Sequence, residues 1–318
     1  MALTLTEIQA LTDDVWLPSV QDNWSKGNVA MHLGLEKAEK IGPCEFVRAP
    51  FAHAKSRGGA MGAATIFDTA KKEVVNAARF PWSFFWSGIT MDIEDEVMVS
   101  GGDAEIDLLM TKLDNAQKTI RDNMGDSFWA SFATSRTAYG AETKPFYGVP
   151  DLMLQTGSTK YGDVAYDDIA TWKAYENSGA LTMNFATMQT LRRGAAVSND
   201  AGGKPDIYIT TETLKDALEN ALNTAHKQIF DDKLAQAGFD NIKIGSRGTV
   251  LADDKCPSGH VNAFNFDRLF LKVHRDLFFA GPVWKMPTDQ ALKTAQILIA
   301  CVLGTNERRA HGRLTTVS

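Results

Sequence analysis

Cys256 and His260 stand four positions apart in Cys256-Pro-Ser-Gly-His260, the closest thiol–imidazole pair in the sequence. A thiol nucleophile with an imidazole base also needs a third group to orient the base, and a zinc site needs three or four such ligands. Two are present, and Pro257, Ser258 and Gly259 between them are turn residues; a turn accounts for the segment without metal or catalysis. The carboxylate pairs Asp167-Asp168, Asp231-Asp232 and Asp253-Asp254 are sequence neighbours. Neighbours point to opposite faces of a strand and diverge by about 100° on a helix, so none forms an acid–base couple, and solvated turns or helix starts use them as well. Gly202-Gly203-Lys204 is followed by Pro205, which has no hydroxyl for a metal, and Gly58, Gly59 and Gly62 lack the strand-before, helix-after context of a dinucleotide site. Neither a GxSxG elbow nor an HExxH pair occurs. No catalytic, cofactor or metal site is therefore expected. The strongest charge run, Arg308-Arg309-Ala310-His311-Gly312-Arg313, would either contact phosphates or a neighbour's acidic side chains, or form a solvated strand end.

The bulk properties narrow the class further. A chain of 318 residues with 44% hydrophobic and 23% charged residues is that of an ordered globular protein, with room for two domains or one large one with extensions. The net charge of −6 and the pI near 5.6 argue against a surface that wraps nucleic acid. Three scattered cysteines, Cys44, Cys256 and Cys301, give no disulfide framework and suit a reducing cytoplasm. The first residues carry no basic and apolar leader, and the longest apolar stretch, 297–303, is too short to span a bilayer. A soluble protein is expected.

Several elements can be read from pattern. Residues 79–86, Arg-Phe-Pro-Trp-Ser-Phe-Phe-Trp, hold five aromatics in eight positions and lead into the acidic run Asp92-Ile93-Glu94-Asp95-Glu96. A turn at Gly101-Gly102, with Asp103 as N-cap, opens a long helix to about residue 130. Ile106, Leu109, Leu113, Ala116, Ile120 and Met124 lie on one face of it. Residues 1–40 read as an arm in which Ile8, Leu11 and Val15 share a helical face ended by Pro18. Trp16 and Trp24 sit there among polar residues and need a surface from elsewhere. Strands at 45–53 and 73–92 flank a Gly- and Ala-rich tip at 55–72. A second helix carries Leu181, Phe185 and Met188 and ends near Gly194. The strand 207–210 runs into a helix striped by Leu214, Leu218 and Leu222. Segments 247–251 and 260–266 read as strands paired through the Pro257–Gly259 turn, and 289–314 is ambiguous between helix and strand. Strands and helices mix without regular alternation, which indicates an α+β fold.

The order of these features resembles the major capsid proteins of tailed bacteriophages, with the Johnson fold of the Hong Kong phage type. The resemblance rests on the helix-opening stretch 101–109, on Tyr161-Gly162-Asp163-Val164 with Trp172 downstream, and on Pro205-Asp206-Ile207-Tyr208-Ile209-Thr210-Thr211. Nearest the family pattern are Phe264-Asn265-Phe266 with Leu269 and Leu271, Asp289-Gln290, and Asn306-Glu307-Arg308-Arg309-Ala310-His311-Gly312. It implies an N-terminal arm at 1–40, an extended hairpin loop at 41–92, a peripheral domain with its spine helix at 93–179, an axial domain at 180–255 and a return to the peripheral domain at 256–318. The tail then becomes strand. It further implies a virion shell protein that assembles with itself into pentamers and hexamers of an icosahedral lattice, with portal and separate scaffolding or decoration proteins as further partners. Such a shell encloses double-stranded DNA without reading its sequence and needs no membrane. Inter-subunit contacts are expected at Trp16, Trp24, Phe46, Phe51, Trp82, Phe84, Trp86, Arg308 and Arg309. Encapsulin-type compartments share the fold and are the alternative; a soluble α+β hydrolase using Cys256 and His260 is the reading from another class.

Overall fold

A computed structural model describes residues 27–62, 66–67, 69–92, 102–154, 160–165, 167–198, 201–225, 242–245, 247–280, 284–286 and 292–318. The expected helix near the N-terminus, Trp16, Trp24, Glu94–Glu96 and Asp231-Asp232 lie outside these residues. The first half of the chain supplies α1 (Val29–Glu36), β1 (Glu39–Ile41), β2 (Phe46–Ala52), β3 (Val75–Pro81), β4 (Ser83–Asp92), α2 (Gly102–Trp129), α3 (Phe132–Tyr139) and α4 (Val149–Met153). Two short strands follow, β5 (Lys160–Tyr161) and β6 (Val164–Ala165), then β7 (Tyr175–Asn177) and α5 (Phe185–Gly194). The second half adds β8 (Ile207–Thr210), α6 (Glu212–Ala225), β9 (Ile242–Ile244) and β10 (Gly248–Ala252). It closes with β11 (Val261–Phe264), β12 (Leu269–His274), β13 (Leu292–Thr305) and β14 (Gly312–Leu314).

Helix α2 is the long element, 28 residues or about 42 Å at 1.5 Å per residue. It begins at Gly102, so Asp103 stands inside its first turn and not at its N-cap. The apolar spacing has the expected effect: Ala116, Ile120, Met124 and Phe128 are buried and Leu113 half-buried. That stripe packs on a four-stranded sheet of order β1-β12-β13-β4. Strand β4 pairs with β13 over ten antiparallel positions, from Asp92↔Leu292 to Ser83↔Cys301. Alternation then sends Phe85, Ile89 and Met91 inward and Phe84, Trp86 and Thr90 outward. The tail is strand, as the resemblance implied, and carries the centre of this sheet.

The second sheet has the order β7-β14-β11-β8-β10-β9, with α5 and α6 packed against it through Met188, Leu191, Leu214 and Leu218. One expectation fails here. Segments 247–251 and 260–266 do not pair with each other: β10 runs parallel to β8 on one side and β11 antiparallel to it on the other. Gly259, at φ +74°, does form the expected turn, but the turn carries the chain across β8. Strands β11 and β14 belong to this sheet and β12 and β13 to the other, so the segment after residue 255 is shared by both sheets.

Strands β2 and β3 form a separate antiparallel ribbon, Phe46↔Pro81 to Ala52↔Val75. Its root is held by its own chain. Ala78 and Phe80 are completely buried, Phe80 packs edge-on against Tyr161, and Phe51 stacks on Trp172 with ring centroids 4.1 Å apart. Gly162, at φ +63°, makes this seat possible: a Cβ there would lie 2.8 Å from the Ala78 Cβ and 3.0 Å from the Phe80 ring. Its carbonyl also accepts the Arg79 amide at 2.8 Å. Gly162 and Asp163, both at φ +63°, are the two loop residues of the β5–β6 hairpin, a connection that favours this conformation.

His311 ties the two sheets together from a fully buried position. Its Nδ1 accepts the Asn265 amide at 3.3 Å, so the ring proton sits on Nε2 and is donated to Thr305 Oγ1 at 3.0 Å. Burial, and then the Arg308 charge, push its pKa down to about 3. The ring stays neutral in the folded chain but takes up a proton below about pH 6.5 once unfolded. Its contribution to stability is thus complete above pH 6.5 and declines toward pH 3 at about 1.4 kcal/mol per pH unit. The partly buried Asp151 and Asp206 and the buried Asp253 are shifted upward, chiefly by desolvation, and act in the opposite direction at lower pH. His311→Gln isolates the imidazole. Between pH 7 and pH 5 the unfolding free energy of the wild type should fall by about 2 kcal/mol more than that of the variant; parallel denaturation curves would exclude this linkage.

Candidate assembly surface

Three of the five aromatics at 80–86 are consumed by the fold and two are not. Phe80 and Phe85 are core residues. Trp82 is also buried, donating from Nε1 to the Cys44 carbonyl at 2.6 Å and packing edge-on against His274. The expectation that Trp82 meets a neighbour is corrected accordingly: its alternation phase turns it inward, and its own chain satisfies both its ring and its N–H. Phe84 is 49% exposed and Trp86 61% exposed on the outer face of β4, with Leu298 directly opposite Trp86 at 38%.

This apolar strip borders a groove of about 440 Å³ between the free edge of β4, the middle of α2 and the end of α3. Among the described residues strand β4 is the last of its sheet, and its edge meets the Lys144 carbonyl through the Phe84 amide (3.2 Å), the Pro145 carbonyl through Ser83 Oγ (2.9 Å) and Lys112 Nζ through the Thr90 carbonyl (3.2 Å). Thr119, Asn123 and Tyr139 form the far wall. Tyr139 donates to the Asn123 carbonyl at 3.2 Å. Burial, with Asp126 and Asp122 nearby, pushes its phenol up to about 12, so it stays protonated. An edge strand flanked by exposed rings is a surface built to be covered.

The ribbon adds a second exposed region. Phe46 is 36% exposed at its root, Phe51 is half-buried on Trp172, and Val75 in the last pair with Met61, Phe67 and Ile66 beyond it are 60 to 94% exposed. Apolar side chains this exposed contribute nothing to a single chain.

The basic run divides in two. Arg308 is enclosed by its own chain and donates to the carbonyls of Leu152 (2.6 Å), Trp172 (3.0 Å), Asp151 (2.8 Å) and Leu154. The expectation of an inter-subunit contact is corrected for this side chain; it fastens α4 and the loop at Trp172 to the tail. Arg309 projects into solvent with Glu307 beside it at 2.8 Å.

The chemically suggestive residues of the sequence have structural roles. Cys256 is buried, takes a hydrogen bond from Asn262 Nδ2 at 3.6 Å, and is pushed up to about 12 by burial and then by Asp253. It approaches the carbonyl of His260 at 3.9 Å. A thiol held protonated is no nucleophile. Asp253 and Asp254 receive the backbone N–H groups of Ala30 and Gly27 at 3.1 and 3.3 Å, fixing the start of α1 to the body. Sequence reasoning missed this anchor because a cap supplied from 223 positions away has no local pattern. Among the described residues no group of three or more His, Cys, Asp or Glu is placed to hold a metal, and no helix is long and apolar enough to cross a membrane.

No protein-family model matches the sequence, and no curated protein is similar to it in sequence. Solved structures do match along its whole length. The cyanophage A-1(L) capsid subunit aligns with a TM-score of 0.74 at 12% identity, over 99% of both chains. The capsid of the Myoviridae phage XM1 aligns at 0.61 and 12% identity, again over 99% of each. The SrpI encapsulin of Synechococcus elongatus PCC 7942 aligns at 0.62 and 10% identity, over 100% of this chain and 97% of its own. The chain has the fold of these shell proteins, as the α+β reading and the resemblance had implied.

Proposed function

We propose that this chain is the major capsid protein of a tailed phage, assembling with itself into an icosahedral shell around double-stranded DNA. One observation carries the reading: a fold shared end to end with phage capsid subunits leaves Phe84, Trp86, Leu298 and the ribbon tip uncovered in the single chain. Burying each large apolar side chain at a neighbour contributes about 1.5–3 kcal/mol. Ordering and lost freedom offset much of that, and repetition over a closed lattice supplies the persistence. In this reading the extended hairpin loop 41–92 overlaps a neighbouring subunit through the ribbon of β2 and β3, while β4 is built into the four-stranded sheet. The axial domain, 180–255, supplies β8, β9 and β10 of the six-stranded sheet. Trp16, Trp24, Phe46, Phe51 and Arg309 join Phe84 and Trp86 at contacts between subunits. Portal, scaffolding and decoration proteins complete the particle.

The test is expression of the chain alone and with its genomic neighbours, followed by negative-stain electron microscopy and nuclease protection. Closed shells, holding nuclease-protected DNA when taken from virions, are the expected result. Monodisperse monomers at high concentration would refute it. The SrpI match favours one second reading, a protein compartment. Shells that enclose a cargo enzyme and no DNA would select that reading.

The ribbon tip gives a separate prediction. Deleting residues 57–69 removes Met61, Ile66 and Phe67, which are 69 to 94% exposed, and leaves the paired part of β2 and β3 intact. The isolated subunit should melt within about 0.5 kcal/mol of wild type, while shells should be fewer and dissociate at lower denaturant. Normal shells of normal stability would remove the tip from the assembly contacts.

A further inference from the structure

The four-stranded sheet carries opposite charge at its two ends. At the end where β13 stops at Thr305, a groove of about 460 Å³ opens between the root of the ribbon and the turn after β13. Lys55, Arg268 and Arg309 line it with exposed cationic heads, and the buried Arg308 lies beneath. Among the described residues Glu307 is the one carboxylate of the lining, 2.8 Å from Arg309 and 3.8 Å from Arg268. Four cations against one carboxylate leave the groove strongly positive in a chain whose net charge is −6. His53 is also in the wall, and its Nδ1 is buried without a hydrogen-bond partner.

At the opposite end Asp92 pairs with Leu292, and the sequence continues from it as Ile93-Glu94-Asp95-Glu96, so that 92–96 carries four carboxylates. Residues 80–111 contain no Lys or Arg; Lys112, bonded to the Thr90 carbonyl at 3.2 Å, and Lys293, opposite Met91, stand beside Asp92 at the root of the run. Strand β13 has 14 residues, which places its two ends about 43 Å apart at about 3.3 Å per residue. The run extends four residues beyond Asp92, about 14 Å when fully stretched. It falls far short of the groove of its own chain.

We infer that the basic groove at the Thr305 end of the sheet receives the acidic run 92–96 of a second copy, joining subunits head to tail. The inference rests on the self-assembly reading and specifies one of its contacts. A heterologous contact of this kind generates rings or an extended lattice, because each copy presents one donor end and one acceptor end. Charge pairing across it fixes register and opposes head-to-head association.

Charge reversal tests it in the full chain. A groove variant carries Lys55→Glu and Arg309→Glu, a run variant carries Glu94→Lys and Glu96→Lys, and a third carries all four. Circular dichroism and melting of the dissociated subunit confirm that each folds; Lys55 and Arg309 are exposed, so the groove change should not unfold it. The concentration needed for shell formation should rise at least about tenfold in either two-site variant, because like charges now face each other. The four-site variant, in which the substituted positions of groove and run again carry opposite signs, should need a concentration at least about threefold lower than either two-site variant, and added salt should weaken assembly of both it and the wild type. If wild-type chain forms shells and the groove variant forms them equally well, the contact is disproved while self-assembly stands. If the four-site variant stays as defective as the two-site ones, the run is not the occupant. Binding of a DNA duplex to single wild-type subunits, lost on Lys55→Glu and Arg309→Glu, would then reassign the groove to phosphates. Absence of wild-type shells refutes the assembly reading and this contact with it.

Discussion

Phe84→Ser combined with Trp86→Ser should abolish shells while leaving the isolated subunit folded. Both rings point away from the core on the last strand of the four-stranded sheet, half or more exposed, so their loss removes little from the fold of one chain; exposed substitutions of this kind change stability by about 0.5 kcal/mol or less. At a contact between subunits the same two rings would contribute about 3–6 kcal/mol together, equivalent to about two to four orders of magnitude in each pairwise association constant. A shell multiplies that loss over all its subunits. Sedimentation velocity on refolded chain separates the outcomes: a monomer or small oligomer with wild-type melting is expected. Phe80→Ser is the contrasting control. That ring is completely buried between Tyr161 and Phe270, so the change should cost about 3 kcal/mol or more in the subunit itself. Shells at wild-type yield from the double variant would take the β4 face out of the assembly contacts.

The contrast between Phe84 and Phe80 also shows how far the sequence could be read. Alternation is a local property, so the aromatics at 80–86 could be divided into inward and outward sets without coordinates. The division Phe80, Trp82 and Phe85 in, Phe84 and Trp86 out, has one irregularity, a change of phase at Trp82, the residue between β3 and β4, which belong to different sheets; Trp82 keeps the inward phase of Phe80 and departs from the outward phase of Phe84. The stripe of α2 was legible for the same reason, from Leu113 to Met124. What the sequence hid is non-local. Nothing near residue 250 or 262 reveals that β8 inserts between β10 and β11; a short turn and two β-rich segments look like a hairpin until a third strand competes for the same edges. The cap of α1 by Asp253 belongs to this class. So does the fate of the basic run, in which adjacent arginines part company because a one-turn 3₁₀ segment at Arg308–Ala310 rotates one inward and the next outward.

Arg308→Met should consequently be the most damaging single change in the tail, and for reasons of folding. The guanidinium reaches the carbonyls of Asp151, Leu152, Leu154 and Trp172 and lies 5.2 Å over the Tyr161 ring. Burial pulls its pKa down to about 10, with Tyr161 and Asp151 acting against that shift, so it is charged throughout the physiological range. Its desolvation is offset by a full set of donors meeting acceptors, and methionine removes the donors while keeping the bulk. The carbonyls then stay buried and unpaired, at about 1–3 kcal/mol each when water cannot enter, partly relieved by movement of the loops. A net loss of about 3–5 kcal/mol is expected, which is a large fraction of the stability of an ordinary domain. Arg308→Lys keeps the charge and loses the planar fork, so it should fall between the two. Because α4, the Trp172 loop and the seat of the ribbon all converge on this side chain, the lysine variant should also lower shell yield in proportion to its loss of subunit stability. Equal melting of wild type and Arg308→Met would mean that the carbonyls find other partners. A yield defect in the lysine variant without any stability defect would instead return Arg308 to the surface between subunits.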